Sequence, residues 1–247
     1  MTFSQSFASF LHTLQSPLIL ESNAFLFTER GLRIVPVSLD DESVPIGEES
    51  EIRTIYLWED MWTRKRPLVQ KWLAGEIEGR ESVFARKCSL QVITKKESDF
   101  FFEETHLLGA ARAKYRYGLF NNGQLIAAAA FSGMRMIRRG DRLCRSAEWV
   151  RYASLPKLTV VGGMGKLLSA FVAEHHPDDV MSYANKDWSE GAAYTKLGFE
   201  AAGETPVQYY WIDPQTMQRY PVKRHPFPQP HWKRVYGLGS LKFMYYL

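Results

Sequence analysis

The sequence predicts an α/β fold of the α+β kind, a mixed, mainly antiparallel sheet flanked by helices, with an N-terminal α/β extension. Three stretches predict it. In YRYGLFNNGQLIAAAAFSGMRMI two strand-like runs are joined by Asn121-Asn122-Gly123, and Asn-Gly between apolar runs is a strong short-range hairpin signal. RLCRSAEWVRYASL reads as a further strand centred on Glu148 to Ala153, stopped by Pro156, which adds a third antiparallel strand. TVVGGMGKLL, Thr159 to Leu168, then passes from a β-branched run through three glycines into a helical pattern. A short apolar strand follows it, so the sheet becomes parallel around one crossover.

Along the chain, the polar, acidic stretch SLDDESVPIGEESE (Ser38 to Glu51) reads as an exposed loop. Around Trp58 to Leu73 the apolar residues fall at helical spacing, with Pro67 able to break or restart the helix, so one or two helices are expected there. SVFARKCSLQVIT reads as one strand, and a helix is expected from Ser98, its N-cap, to His106. After the glycines, Leu167, Leu168, Phe171 and Val172 share one helical face and Pro177 ends the helix. DDVMSYAN reads as a strand, DWSEGAAYTKLG as a short helix closed by Gly198, and FEAAGETPVQYYWID as a returning strand. There is no internal repeat.

Composition bounds the function. The chain of 247 residues is 45% hydrophobic, enough to bury a core, and no apolar run is long enough to span a membrane. Its N-terminus lacks the basic start and cleavage site of a signal peptide, so a cytoplasmic protein is expected. Cys88 and Cys144 form no disulfide framework and no zinc-ligand spacing, so no metal is expected. The net charge of +4 permits an anionic ligand without requiring one. Two local basic clusters, RMIRRGDRLCR (Arg135 to Arg145) and KRHPFPQPHWKR (Lys223 to Arg234), say more than the total. With Trp232, Tyr236, Tyr245 and Tyr246, the C-terminal basic residues have the chemistry to contact phosphates and stack bases, which makes nucleic acid a candidate partner.

The glycine stretch has two readings from its residues alone. A Gly-rich turn that opens a helix exposes unpaired backbone N–H groups at the positive end of the helix dipole, ready for phosphate. Gly162, Gly163 and Gly165 let an anion approach, and Lys166 adds charge. The spacing matches neither a P-loop nor a dinucleotide fingerprint, and a plain structural turn fits as well.

AEWVRYASLPKLTVVGGMGKLL followed by YANKDWSEGAAYTKLGF resembles the core of the GNAT superfamily of N-acetyltransferases. The resemblance implies that the strand before the turn, with Val150 and Tyr152, binds the pantetheine arm of acetyl-CoA or another acyl-CoA through its backbone. It implies that Val161, Gly162, Gly163, Met164, Gly165 and Lys166 hold the pyrophosphate. Val160 stands where that family usually has Gln or Arg. Asn185, Tyr194, Lys196, Gly198 and Phe199 approximate a second family pattern, in which Asn185 belongs to the cofactor site and Tyr194 is the general acid toward the departing thiolate. An acyl-CoA-dependent N-acyltransferase is the implied activity, with an unassigned amine as acceptor.

With FFEETHLLGAARAKYRYGL and RVYGLGSLKF added, the chain also resembles a GNAT-like region that in phage proteins follows a homing-endonuclease-type nuclease. At a greater distance it is similar to the phage Mom DNA-modification proteins, which share a histidine after a helix, an E-x-x-R strand and a tyrosine helix. This resemblance implies His106, Glu148, Arg151 and Tyr194 as catalytic residues, and a nucleic-acid-associated base modifier or DNA binder as the alternative function. His106 has the intrinsic pKa of a general base, and equally that of a helix-end cap. Glu148 and Arg151, three apart on a strand, are expected on opposite faces. Residues 1–95 read as an N-terminal extension or small docking domain, or alternatively as the remnant of a nuclease half, with no D…E-x-K metal site assembled from them, and 96–247 as the GNAT-like domain.

Overall fold

The computed structural model describes residues 2–21, 23–41 and 52–247; most of the acidic stretch expected as an exposed loop lies outside them. The chain forms two compact units that interleave in sequence. One gathers Met1–Glu78, Ala184–Glu190 and Glu204–Ser240, the other Gly79–Tyr183, Gly191–Gly203 and Leu241–Leu247.

The first unit opens with α1 (Phe3–Leu11), where Thr2 and Gln5 form a reciprocal capping box and Phe3, Phe7 and Leu11 face inward. Strands β1 (Ile19–Leu20), β2 (Phe25–Phe27), β3 (Leu32–Val37) and β4 (Arg53–Trp58) make a four-stranded sheet in that order, with β3 and β4 parallel. The long helix α2 (Glu59–Glu78) follows directly. It is two helical pieces joined at a kink: Lys65 leaves helical geometry at φ −123°, ψ 29°, because the Pro67 ring takes the space of a carbonyl one turn earlier and offers no N–H. Trp62 is fully buried and meets Phe7 edge-on at 5.2 Å.

The second unit begins where one strand was expected and two occur, β5 (Glu81–Phe84) and β6 (Ser89–Val92), separated by a 3-10 turn at Ala85–Lys87. Helix α3 (Lys95–Thr105) starts one turn before the expected Ser98. Thr94 and Glu97 form a capping box, which satisfies two orphan amides at once, and Ser98 lies buried inside the first turn. The hairpin is as expected: β7 (Tyr115–Asn121) and β8 (Gln124–Phe131) turn through Asn122 and Gly123, both at positive φ. A second hairpin joins β9 (Arg135–Arg139) to β10 (Arg142–Ser154). Then come β11 (Leu158–Val161), α4 (Gly163–His175), β12 (Asp179–Asn185), α5 (Ala192–Lys196) and β13 (Glu200–Glu204).

The returning strand, expected as one, is interrupted at Pro206. The segment beyond it, β14 (Gln208–Asp213), forms a separate antiparallel sheet with β15 (Gln218–Pro221) and β16 (Lys233–Gly237) in the first unit, ordered β15-β14-β16. The last strand, β17 (Ser240–Tyr246), completes the large sheet, whose order is β13-β17-β12-β10-β8-β7-β6, with β9 on β10. Strands β6, β7, β8 and β10 pair antiparallel, and β10 with β12 is parallel, so the expected mixed sheet and crossover are present. The alanine run of β8 is buried on both faces. Ala128 and Ala130 pack with Phe101 and Phe102 of α3, and on the other side Phe131 stacks on Phe171 of α4 at 4.0 Å. Among the described residues no helix is long and apolar enough to cross a membrane.

Candidate active site

The crossover creates a fork in the sheet. The parallel ladder between β10 and β12 runs from Ser146–Asp179 to Trp149–Ser182 and stops, while β10 continues beside β8 to Ser154. At the fork β10 carries a bulge: Trp149 faces Phe131, Arg151 faces Ala130, and Val150 has no ladder partner on either neighbour. Val150 therefore leaves the ladder where the two parallel strands part, and its carbonyl accepts instead from Arg151 Nη1 at 2.8 Å.

Tyr194 sits at this fork. Its ring stacks on Phe243 (5.3 Å) and meets Trp149 edge-on (6.1 Å), and its hydroxyl lies 2.8 Å from Ser182 Oγ. Ser182 Oγ is also 2.9 Å from the Trp149 carbonyl oxygen. A carbonyl only accepts, so the Ser182 hydrogen goes to Trp149 and the Tyr194 hydroxyl donates to Ser182. Burial raises the Tyr194 pKa above its ordinary value, opposed by the Ser182 hydrogen bond and the charge of Arg151. The short helix that presents Tyr194 starts at Gly191, whose φ is +76° and where a Cβ would overlap the Phe243 ring. Ser182 and Gly191 were not identified from the sequence. The available signal for Ser182 was a hydroxyl at an inward position of the apolar strand DVMSYAN.

The bulge changes which residues meet. Glu148 and Arg151 were expected on opposite faces, but Val150 removes one residue from the alternation, so the two fall on the same side and the Glu148 charge supports that of Arg151. Burial pulls the Arg151 pKa down, and Glu148, Tyr194 and Glu103 push against it. Arg151 Nε donates to the Gly109 carbonyl at 3.1 Å. Gly109 in turn closes the His106 turn, with its N–H on the His106 carbonyl at 2.8 Å. Its φ of +65° is a left-handed conformation that favours glycine. His106 therefore belongs to the same network through the backbone. Its Nδ1 accepts the Leu108 N–H at 3.1 Å, so the neutral ring carries its hydrogen on Nε2.

The glycine turn joins β11 to α4. Gly162, at φ +75°, is the N-cap and provides no side-chain cap, so the amides of Gly163, Met164 and Gly165 open the helix without an intrahelical acceptor. Val160 is buried beneath them: a Cβ on Gly163 would come 2.9 Å from Val160 Cγ1 and 3.3 Å from the Tyr152 hydroxyl. The Val160 side chain is thus a wedge that fixes the turn from below. Val161 is exposed beside it. Lys166 Nζ donates to the carbonyls of Ala85 (3.0 Å) and Cys88 (2.6 Å), so it ties α4 to the turn between β5 and β6. Burial pushes the Tyr152 hydroxyl up to about 12. Asn185 lies in the first unit with its Oδ1 on the Asp187 amide at 2.7 Å. Gly163→Ala is expected to lower stability by about 1–3 kcal/mol through overpacking. Adding Val160→Ala should return most of that loss in urea unfolding, and no rescue would show that the wedge is not the cause.

The basic hairpin β9–β10 offers less free charge than its sequence suggests. Arg139 is paired with Asp179 at 3.0 Å, Arg145 donates to the His175 carbonyl at 3.1 Å, and Arg135 is 3.9 Å from Glu148.

No protein-family model and no curated protein matches the chain. Its structural neighbours are GNAT-family acetyltransferases. One is a GNAT family acetyltransferase from Elizabethkingia anophelis with acetyl-CoA bound, 13% identical, covering 65% of this chain and 99% of its own at a TM-score of 0.40. The ribosomal-protein-S18-alanine N-acetyltransferase from Escherichia coli is 14% identical over 64% of this chain and 92% of its own, with a TM-score of 0.39. Eis1 from Mycobacterium abscessus is 17% identical over 50% of this chain at a TM-score of 0.40, and the match spans only 33% of Eis1. At this identity and overlap nothing about ligands or acceptors carries over from these proteins.

Proposed function

We propose that this chain is an acyl-CoA-dependent N-acyltransferase, taking acetyl-CoA or another acyl-CoA as donor and an amine as acceptor. The observation that carries this reading is the fork between β10 and β12, with the Tyr194 hydroxyl held against Ser182 at its apex. Two groups of residues suit parts of such a donor. The uncapped amides of Gly163, Met164 and Gly165 suit a pyrophosphate, and the Val150 amide, outside the ladder, suits the thioester carbonyl.

Acyl-CoA supplies an activated carbonyl on a thiol leaving group. In the transfer the amine nitrogen forms a bond to the acyl carbon, the carbon–sulfur bond breaks, the amine loses a proton and the thiolate gains one. The Val150 amide stabilises charge on the carbonyl oxygen. Glu148, on the face of β10 that Arg151 orients, takes the amine proton; His106, with Nδ1 already accepting from Leu108, holds the loop that fixes Arg151. Tyr194 gives its proton to sulfur, and Ser182 then turns its hydrogen from Trp149 to the phenolate oxygen.

Titration calorimetry of the full chain with acetyl-CoA and CoA tests the reading: saturable heat at micromolar to low millimolar ligand is expected, and no binding at millimolar ligand overturns it. Acceptors for the assay are free amines, peptide N-termini and the nucleobases of DNA, the last because of the resemblance to phage DNA-modification proteins.

A further inference from the structure

One basic segment of the molecule has no part in the proposed acyl transfer. Residues 214–240 hold five Lys and Arg and no Asp or Glu, more than the +4 excess of the whole chain. They build β15 and β16, which flank β14. Register gives this sheet two unlike faces. Ile212 and Val235 are buried in the core, and Arg219 pairs inward with Asp60. On the other face Trp211 lies between Tyr220 and Arg234, and Tyr209 is two residues along the same strand.

That outer face is aromatic and cationic together. Tyr209 is 46% exposed, and the Arg234 guanidinium lies over its ring at 4.4 Å. Tyr220 and Trp232 stack at 4.6 Å with planes 7° apart, and His225 meets Tyr220 edge-on at 5.1 Å. Trp211 Nε1 donates to the His225 carbonyl at 3.0 Å and pins the adjoining turn, which carries Lys223 and Arg224. Phe227, between Pro226 and Pro228, is 92% exposed, and the two prolines restrict the backbone that presents it. Two carboxylates border the face: Asp40 at 2.8 Å from Lys233 and Asp213 at 3.8 Å from His231.

We propose that this face of the three-stranded sheet binds single-stranded nucleic acid, with Tyr209, Arg234 and Phe227 stacking bases and Lys223 and Arg224 contacting phosphates. Charge complementarity selects a polyanion, and the row of rings selects one whose flat apolar groups are accessible. In a duplex the bases are stacked on one another and offer no free face, which is why the strand must be single. The proposal concerns residues of the first unit alone and does not rest on the acyl-transfer reading, so either can fail without the other.

The test is fluorescence anisotropy of the full chain with 5′-fluorescein-labelled oligothymidylate and oligouridylate of about 15 nucleotides, beside a duplex of the same length. Expected is binding to the single strands at about 50 mM salt, weakening steeply as salt rises. Tyr209→Ala and Phe227→Ala should each weaken it roughly ten-fold. Lys223→Gln with Arg224→Gln should flatten the salt dependence by about 1.4 log units per log unit of salt. All four positions are on the surface, and an unchanged urea midpoint confirms that the variants fold. A difference in affinity between the two oligomers shows whether DNA or RNA is preferred. No binding at low salt, equal binding to the duplex, aromatic variants that bind like the parent, or binding to phosphatidylserine vesicles in place of oligonucleotide would each overturn the proposal.

Discussion

Tyr194→Phe is expected to lower kcat for acyl transfer about 100-fold, with KM for acetyl-CoA nearly unchanged, because a positioned acid contributes on that order and only the hydroxyl is removed. The ring would keep its stack on Phe243 at 5.3 Å, so loss of activity would not reflect loss of the site. The same residue sets a pH dependence. Its pKa is raised by burial, so the proton-donating form persists beyond pH 10, and kcat should stay level to that pH before falling. Ser182→Ala removes the hydrogen bond that opposes the shift, and the fall should then move to still higher pH. A fall in kcat below pH 9, a Ser182→Ala shift in the opposite sense, or an unchanged Tyr194→Phe rate would remove Tyr194 as the acid.

Asp60→Ala should destabilise the first unit by about 3–5 kcal/mol, the usual cost of breaking a buried ion pair from one side. Asp60 is 2% exposed and grips Arg219 with both oxygens, Nε at 2.6 Å and Nη2 at 2.9 Å. Burial opposes the charge of Arg219, and Asp60 more than compensates, holding its pKa above the ordinary value. Urea unfolding measures the effect, and a change under about 1 kcal/mol would mean that the pair is effectively solvated. Asp60→Leu combined with Arg219→Met should recover part of the loss. Full recovery is not expected, because the carboxyl of Asp187 would also lose the guanidinium that offsets its burial.

Legibility of the site followed the range of the interaction. Asn122-Gly123 and Gly162 were legible because a positive φ is a local demand that few residues meet. The N-cap of α3 was misplaced at Ser98 although Thr94 and Glu97, three apart, carried the stronger local signal. Glu148 and Arg151 were placed on opposite faces because strand alternation was assumed unbroken, and a bulge leaves no mark in the residue order. Lys166 was read as a free charge, whereas the carbonyls of Ala85 and Cys88 that claim it lie about eighty residues away. Ser182 looked like one hydroxyl among many until β12 was set beside β10 and Tyr194.

By itself the sequence determined the Asn122-Gly123 hairpin, the glycine-opened helix, the helix presenting Tyr194 and the crossover order, because backbone preference and hydrophobic period act within a few residues. Tertiary structure decided that Glu204–Ser240 folds with Met1–Glu78, that β10 bulges where it leaves β12, and that Arg219 turns inward while Arg234 turns out. Those outcomes depend on which apolar faces cover one another. That choice is made by burial summed over segments far apart in the chain, and no window of residues contains it.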